Sequence, residues 1–541
     1  MINADMLKNL TLLILAIFLV TGCTQGRQDN EDISSKDTIN VNIGNEPPSL
    51  DWSRATDSTS YLILNNLMEG LTQFGDTFLP EPNLAESWEI GEDGQTYTFK
   101  IREDVLWSDG VPLKAVDFEY SWKRLLNPAT GGDYAYFLYD IENAEEYNTG
   151  EIDDAEKVGV KALDDRTLVV RLKRKASYFP SLLSFMSTYP MRKDVVEKYG
   201  IKWTEPENIV TLGPYKLTEW KHHSDILLTK NPEYYGEQPR IDKVSMIMNE
   251  NTSSALALYE SGKLDYADSK SIPPLEVPRL IDLEDFTTTL MFRGNYIAFN
   301  VKKPPFDNPL VRKAFAASID RASIIDLIQG AGIVNTSWIP KDMLAYNPDI
   351  GIKFDPAQAQ KWLAEAGYPG GKGFPEVFFL WPDVSYNRVI AEALQSMWKQ
   401  YLGIEVELMN EEWKVYLSTI NNNPPEIHRA GWGADFPDPH NFMSLFQCNT
   451  GNNRTGWCNP KYDRLVDRAA QETDIEKRKE LYDRAQKILT ETDAPIAPFY
   501  NSKQQNLIKP YVKGLVPNPL DLVLFKKVYF ENNSAAHMEG E

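Results

Sequence analysis

Histidine and cysteine are nearly missing from this chain: its 541 residues hold five of the first and three of the second. Transition-metal sites draw on imidazole and thiolate, so little material is left for one. The adjacent pair His222-His223 would face opposite ways on a strand, so solvated or structural roles are expected and no metal is assigned. Catalytic signatures are missing too, with no G-x-S-x-G elbow and no H-E-x-x-H helix. Gly367 to Gly373 is glycine-rich, but Lys372 is followed by Gly373 where a phosphate loop needs Ser or Thr. A helix end and turn is the reading there. Basic charge is also in short supply: 56 Lys and Arg stand against 78 Asp and Glu, a net charge of −22. That balance argues against nucleic acid and mildly favours cationic ligands. Neither an enzyme nor a cofactor is expected.

A membrane-spanning run is lacking at the one place that invites it. Leu10 to Val20 is apolar apart from Thr11, but it is eleven residues long, against the roughly 20 a spanning helix needs. It fits the apolar core of an export signal. Val20-Thr21-Gly22-Cys23 follows at once and matches the bacterial lipobox, in which the cysteine becomes the acylated first residue. A start at Met6 would leave Lys8 as the only charge ahead of that core. Residues 1–23 are therefore expected to be a lipoprotein signal, with 24–37 a polar tether to the bilayer. In an exported chain the remaining Cys448 and Cys458 form the one available disulfide pair, with two free thiols as the alternative.

What is present is an ordinary globular composition, 42% hydrophobic and 25% charged, in a chain too long for a single core. Two or three lobes are expected. The pattern alternates α and β. Val377 to Leu380 predicts a short strand. From Ser385 a helix follows with Val389, Ile390, Ala393, Leu394, Met397 and Tyr401 inward, and Gly403 stops it. Ile404 to Leu408 then alternates as a second strand, which makes a β-α-β unit with parallel strands. Asn308 and Asp320 predict two helix caps, and two amphipathic helices run through Tyr462–Ala469 and Leu481–Leu489. Leu84 to Arg102, turning at Asp93-Gly94, predicts an antiparallel hairpin. With 13 Trp and 26 Tyr, an exported α/β chain has the amphipathic rings that line a deep ligand cleft.

Several stretches then occur in a telling order. Leu84-Ala85-Glu86-Ser87-Trp88-Glu89 leads to Tyr97-Thr98-Phe99-Lys100-Ile101-Arg102, Trp107-Ser108-Asp109-Gly110 and Ala115-Val116-Asp117-Phe118. Glu46-Pro47-Pro48-Ser49-Leu50-Asp51 precedes them; Asn295 to Asn300 and Asn453 to Pro460 follow. This order resembles the peptide and nickel solute-binding proteins of ABC importers. Arg429-Ala430-Gly431-Trp432-Gly433-Ala434-Asp435 resembles the ligand-site motif of the oligopeptide binders among them. The resemblance implies a class II periplasmic-binding-protein fold, two α/β lobes around a cleft plus an inserted third. Lobe I would span 38–69, 195–294 and 502–541, lobe II 70–194 and lobe III 295–501.

It also implies roles. Asp435 would take a peptide α-ammonium, Trp432 would line a side-chain pocket, Gly431 would offer main-chain hydrogen bonds and Arg429 would meet a peptide carboxylate. Tyr134, Thr56 and Ser58 would line the cleft. Two positions depart from the family pattern: Thr56 stands where relatives carry Glu, and Gly433 where some carry a disulfide cysteine. The expected partners are short peptides, the importer's membrane subunits and the bilayer through acylated Cys23, with the protein itself a monomer facing the periplasm or cell exterior. Asp435 has a competing reading as a helix cap ahead of Pro437 and Pro439. A nickel, haem or sugar binder of the same family, or a lipoprotein acting as sensor, chaperone or adhesin, are the rival functions.

Overall fold

The computed structural model describes residues 36–531, apart from 76, 384, 385 and 449. The signal, Cys23 and nearly all of the tether lie outside the described residues. Lobes I, II and III below denote the spans given above.

The strands that build the molecule are, in chain order, β1 (Thr38–Asn42), β2 (Ala85–Ile90), β3 (Thr96–Ile101), β4 (Val160–Ala162), β5 (Thr167–Arg171), β6 (Tyr215–Lys221), β7 (Asp225–Lys230), β8 (Lys243–Ile247), β9 (Tyr266–Ala267), β10 (Phe286–Phe299), β11 (Gly332–Val334), β12 (Phe378–Pro382), β13 (Glu407–Glu411), β14 (Ile427–Gly433) and β15 (Ile496–Ile508). One mixed sheet runs β13-β12-β14-β10-β15-β9-β1-β8-β7-β6, with β11 pairing β15. A separate antiparallel sheet, β2-β3-β5-β4, lies within lobe II. The long strands β10 and β15 carry the large sheet from one lobe into the other, and their register shifts twice, between Leu290 and Gly294 and between Asn295 and Tyr296.

The helices used below are α1 (Ser58–Leu67), α2 (Pro309–Ala317), α3 (Arg321–Leu327), α4 (Asn387–Leu402), α5 (Trp413–Asn422), α6 (Pro439–Met443), α7 (Pro460–Gln471) and α8 (Ile475–Lys487). Asn308 and Asp320 cap α2 and α3 through their side chains, as their position before the helix predicts. The hairpin forms as β2 and β3. The β12-α4-β13 unit forms with parallel strands, and Gly403 ends α4 at φ 70°.

Two details of that unit differ from expectation. The second strand starts at Glu407, not Ile404. The buried stripe of α4 is Ile390, Ala391, Leu394, Met397, Trp398 and Leu402, while Val389 is exposed. The stripe turns toward Trp398 because that large ring packs against Phe315 and Phe379; burying it outweighs burying a valine.

Alternation along β10 separates the two main cores of lobe III; a smaller cluster of Leu380, Tyr416 and Ile420 lies apart. Ile297 and Phe299 join Phe306, Phe315 and Trp398 on one face; Tyr296 and Ala298 join Trp338, Phe446 and Tyr482 on the other. One large core runs through lobes I and II, from Ile39 through Trp107, Phe118 and Leu168 to Val528, and takes in Phe436 and Ala470 of lobe III; a smaller one in lobe I gathers Leu256, Tyr259, Leu280, Phe286 and Leu507. Among the described residues no helix is long and apolar enough to cross a membrane.

His222 and His223 do not face apart. They sit in the turn between β6 and β7, not within a strand, and His223 takes φ 62°. Both imidazole Nδ1 atoms turn to Glu46, at 2.6 and 3.1 Å. Among the described residues no group of three His, Cys, Asp or Glu is placed to hold a metal ion.

Cys448 and Cys458 are joined as a disulfide, Cα atoms 4.7 Å apart. The loop between them is braced elsewhere as well: the Asn453 amide donates to the Trp457 carbonyl at 2.7 Å, and Val301 N donates to the Thr455 carbonyl at 2.9 Å. Reduction is expected to lower unfolding stability by ~2–3 kcal/mol, the loop-closure value for a ring of this size, without unfolding the protein at 25 °C. Denaturation with and without reductant, alongside thiol titration of the unreduced denatured chain, checks this; two free thiols would remove the bridge.

Candidate ligand-binding site

Strand β14 carries the Arg429–Gly433 motif, and its two edges are unlike. On one side it pairs with β10 along its whole length, from Phe299↔Ile427 to Arg293↔Gly433. On the other, β12 pairs only at Phe379↔Ile427 and Leu380↔His428. Beyond His428 that edge has no strand partner among the described residues. A short open edge is a template for an added strand. It is edged by Tyr416 of α5, whose hydroxyl donates to the Arg429 carbonyl, and by the half-exposed Trp413, stacked on Tyr416 at 5.8 Å.

Asp435 lies just past the end of this edge. Its carboxylate accepts from the Asn441 amide at 3.2 Å and the Tyr134 hydroxyl at 3.3 Å. Among the described residues no cation pairs with it. Burial pushes its carboxyl up to about 6, against which the bonds from Asn441 and Tyr134 pull only part of the way. The helix-cap reading fails: α6 is capped by Asp438, whose side chain accepts from His440 N at 2.8 Å. Of two aspartates each followed within two residues by proline, the one immediately before the helix caps it.

Asn441, inside α6, holds two of the sequence-predicted residues at once. Its Oδ1 accepts from the Trp432 indole N–H at 2.8 Å and from Asp435 N at 3.3 Å, while its Nδ2 donates to the Asp435 carboxylate. Trp432 is half-buried, packed on one side against the Tyr296–Trp338 core. Gly431 is exposed on the open strand, and a Cβ there would press on Asn295 Oδ1 and the Gly294 carbonyl at 3.2 Å. Gly433 pairs with Arg293, whose guanidinium covers the space a larger residue would fill.

Tyr134 comes from lobe II, on a short 3-10 helix (Asp133–Leu138), and packs on Phe137 and Phe185. Tyr61 on α1 of lobe I packs on the same Phe185. Burial raises both phenols well above their usual range, and the Asp435 charge adds to it. Side chains from all three lobes thus converge on one carboxylate.

The other expected residues lie further off. Arg429, on the same strand, donates to Asn295 Oδ1 and to the Tyr500 hydroxyl, each at 2.9 Å, while its buried Nε has no partner among the described residues. Thr56 and Ser58 are exposed at the start of α1, where Asp57 is the cap. Ser58 lines a small cavity with Asn42, Asp268 and Asp521. No hydrogen bond joins Thr56 or Ser58 to Asp435.

Sequence reasoning missed Asn441, Tyr61, Trp413 and Tyr416. The pair Trp413-Lys414-Val415-Tyr416, aromatic at one-turn spacing shortly before the motif, was a usable signal for the last two.

An open strand edge ending at a largely buried carboxylate, between lobes that share one sheet, is the arrangement of a protein that binds a ligand without transforming it. Residues 80–454 match the middle-region model of the bacterial extracellular solute-binding proteins, family 5, and the chain belongs to that family. It is 34% identical to the oligopeptide-binding protein OppA of Bacillus subtilis, over 96% of this chain and 98% of the relative. A periplasmic oligopeptide-binding protein of Borrelia burgdorferi superposes with a TM-score of 0.78 at 32% identity, covering 92% of this chain and 100% of that one. Haemophilus influenzae OppA in complex with the peptide RPPGFSPFR superposes at 0.76, also at 32% identity, covering 92% and 99%. Members of the family are solute-binding proteins of transport, not enzymes.

Proposed function

We propose that this chain captures short peptides between its lobes and delivers them to an ABC importer, held at the outer face of the membrane by a lipid on Cys23. The observation that carries the reading is the open edge of β14 leading to Asp435. A peptide laid along Arg429–Gly433 completes the sheet through main-chain bonds, which ignore sequence. Gly431 leaves room for it. The α-ammonium, common to all peptides with a free amino terminus, meets the carboxylate that no cation among the described residues pairs with. Trp432 and Trp413 offer apolar walls to side chains, and Arg429 offers a donor to a carboxylate further along. Contacts to more than one lobe favour the closed arrangement by the difference in affinity between the two states. The OppA relatives named above, one of them holding a peptide, support the same ligand class.

Native mass spectrometry of the purified protein tests the ligand: co-purified peptides are expected, and a bound metal, haem or sugar in their place would overturn the reading. Cell fractionation tests the anchor, since a Cys23→Ser protein that is processed and still membrane-held would rule the lipid out.

A further inference from the structure

Lobe II meets lobe III at the segment that carries Asp435. Phe436, the next residue, is buried between Phe137 and Tyr178 of lobe II, ring centroids 6.0 and 5.9 Å away. Four residues on, the His440 imidazole lies flat on the Tyr178 ring at 4.2 Å and 17°. Tyr178 is fixed from behind, its hydroxyl donating to Asp140, which also pairs with Arg174 at 2.9 Å. At the rim, Ser177 N and Oγ both donate at 2.9 Å to the Ala470 carbonyl on α7, and Arg174 reaches Asp467 at 3.7 Å. Tyr134 completes the contact through Asp435 itself. None of these groups belongs to the sheet that joins lobes I and III. The ring contacts and Tyr134 bear on Asp435–Met443, where Asn441 aligns Asp435 and Trp432, while the rim bonds tie lobe II to α7.

We propose that lobe II is a latch: Tyr178 docked on Phe436 and His440 holds the recognition segment in its binding pose and slows opening of the cleft, whether or not a ligand is present. A ring stack continued by a shared apolar cluster of Phe137, Tyr178 and Phe436 has the contact area and directionality to do this, and it leaves the ligand's own bonds untouched. The latch deepens the peptide-capture reading by naming what sets residence time. The docking itself does not depend on which ligand binds.

Full-length Tyr178→Ala and Tyr178→Phe proteins test it in two ways. Small-angle X-ray scattering without ligand reads the closed fraction. Stopped-flow tryptophan fluorescence reads dissociation of the probe peptide RPPGFSPFR. Tyr178→Ala is expected to expand the ligand-free protein and to speed dissociation at least tenfold, with association changed less than threefold. Tyr178→Phe, which keeps the stack but loses the bond to Asp140, is expected to stay within about threefold of wild type. Wild-type scattering and dissociation in Tyr178→Ala would overturn the latch. If that variant fails to fold, Arg174→Ala at the exposed rim is expected to move both readouts the same way by about threefold, and no movement there overturns it equally. If the probe does not bind wild type, the peptide reading is what suffers, and scattering alone decides the latch.

Discussion

Asp435→Asn folds normally and loses about 30-fold to several thousand-fold of its affinity for peptides: that is the expected result if the carboxylate receives the α-ammonium. The range corresponds to ~2–5 kcal/mol, the usual effect of deleting one partner of an enclosed charge pair. The structure gives a reason for the large end. Asp435 has two neutral donors, Asn441 and Tyr134, and no cation among the described residues, so a bound ammonium would face no competitor. Isothermal calorimetry with free and amino-terminally acetylated peptides reads the effect from both partners. Equal binding of the two by the wild-type protein would take this role away from Asp435.

The same carboxyl gives the pH dependence its sign. Its ordinary value is 3.8 and burial raises it to about 6. Below about pH 6 it takes up a proton in the ligand-free protein, and peptide affinity falls by up to about tenfold per unit. For stability the direction is opposite. A raised carboxyl favours the folded state in full below about pH 4, and that contribution is lost as pH rises from there through 6. At pH 7 the Asn variant should therefore be no less stable than wild type. Tighter binding at pH 5 than at pH 7.5 would contradict the assignment.

Arg478→Ala is expected to cost ~3–5 kcal/mol of stability. Its guanidinium grips Asp438 with two bonds, 2.7 and 2.8 Å, and both side chains are more than nine-tenths buried. Removing the arginine strands a buried carboxylate, which is worse than having neither charge. The loss should spread, because Asp438 caps α6 and α6 carries Asn441. Peptide affinity should fall along with stability. Asp438→Asn keeps a competent cap and removes the stranded charge, so the double variant Asp438→Asn with Arg478→Ala should recover part of the loss. A double-mutant cycle by urea denaturation measures the coupling; additive losses would show that the pair does not act as a unit.

What could be read from the sequence, and what could not, follows from the range of the forces involved. Local signals were legible: Asn308 and Asp320 as caps, the β2-β3 turn, the glycine stop of α4. The inward face of α4 was read about one residue off, because the choice between Val389 and Trp398 is made by Phe315 and Phe379, which come from other elements. His222-His223 looked like strand neighbours until the turn at φ 62° brought both to Glu46, 176 and 177 residues earlier. The candidate site was legible as a motif, since Arg429 to Asp435 are contiguous. Its tuning was not. Whether Asp435 or Asp438 caps the helix is decided by where the helix starts. Asn441 serves Trp432 and Asp435 through a turn with no periodicity, and Tyr61 and Tyr134 arrive from segments hundreds of residues away.

The two long strands that cross between the lobes set how such a molecule can move. Because β10 and β15 stay bonded to each other on both sides of the boundary, opening has to flex an intact ribbon; it does not swing two bodies on slack tethers. At the shift between Leu290↔Lys503 and Gly294↔Asn501, β10 spends four residues where β15 spends two, and irregularities of this kind bend and twist a strand pair locally. A second shift follows at once, between Asn295↔Tyr500 and Tyr296↔Pro498, so the ribbon has one short soft stretch, from Leu290 to Tyr296, between stiffer arms. Flexure confined to one short stretch of a bonded ribbon has an elastic return, so the cleft would reopen without any part of the sheet having to come undone.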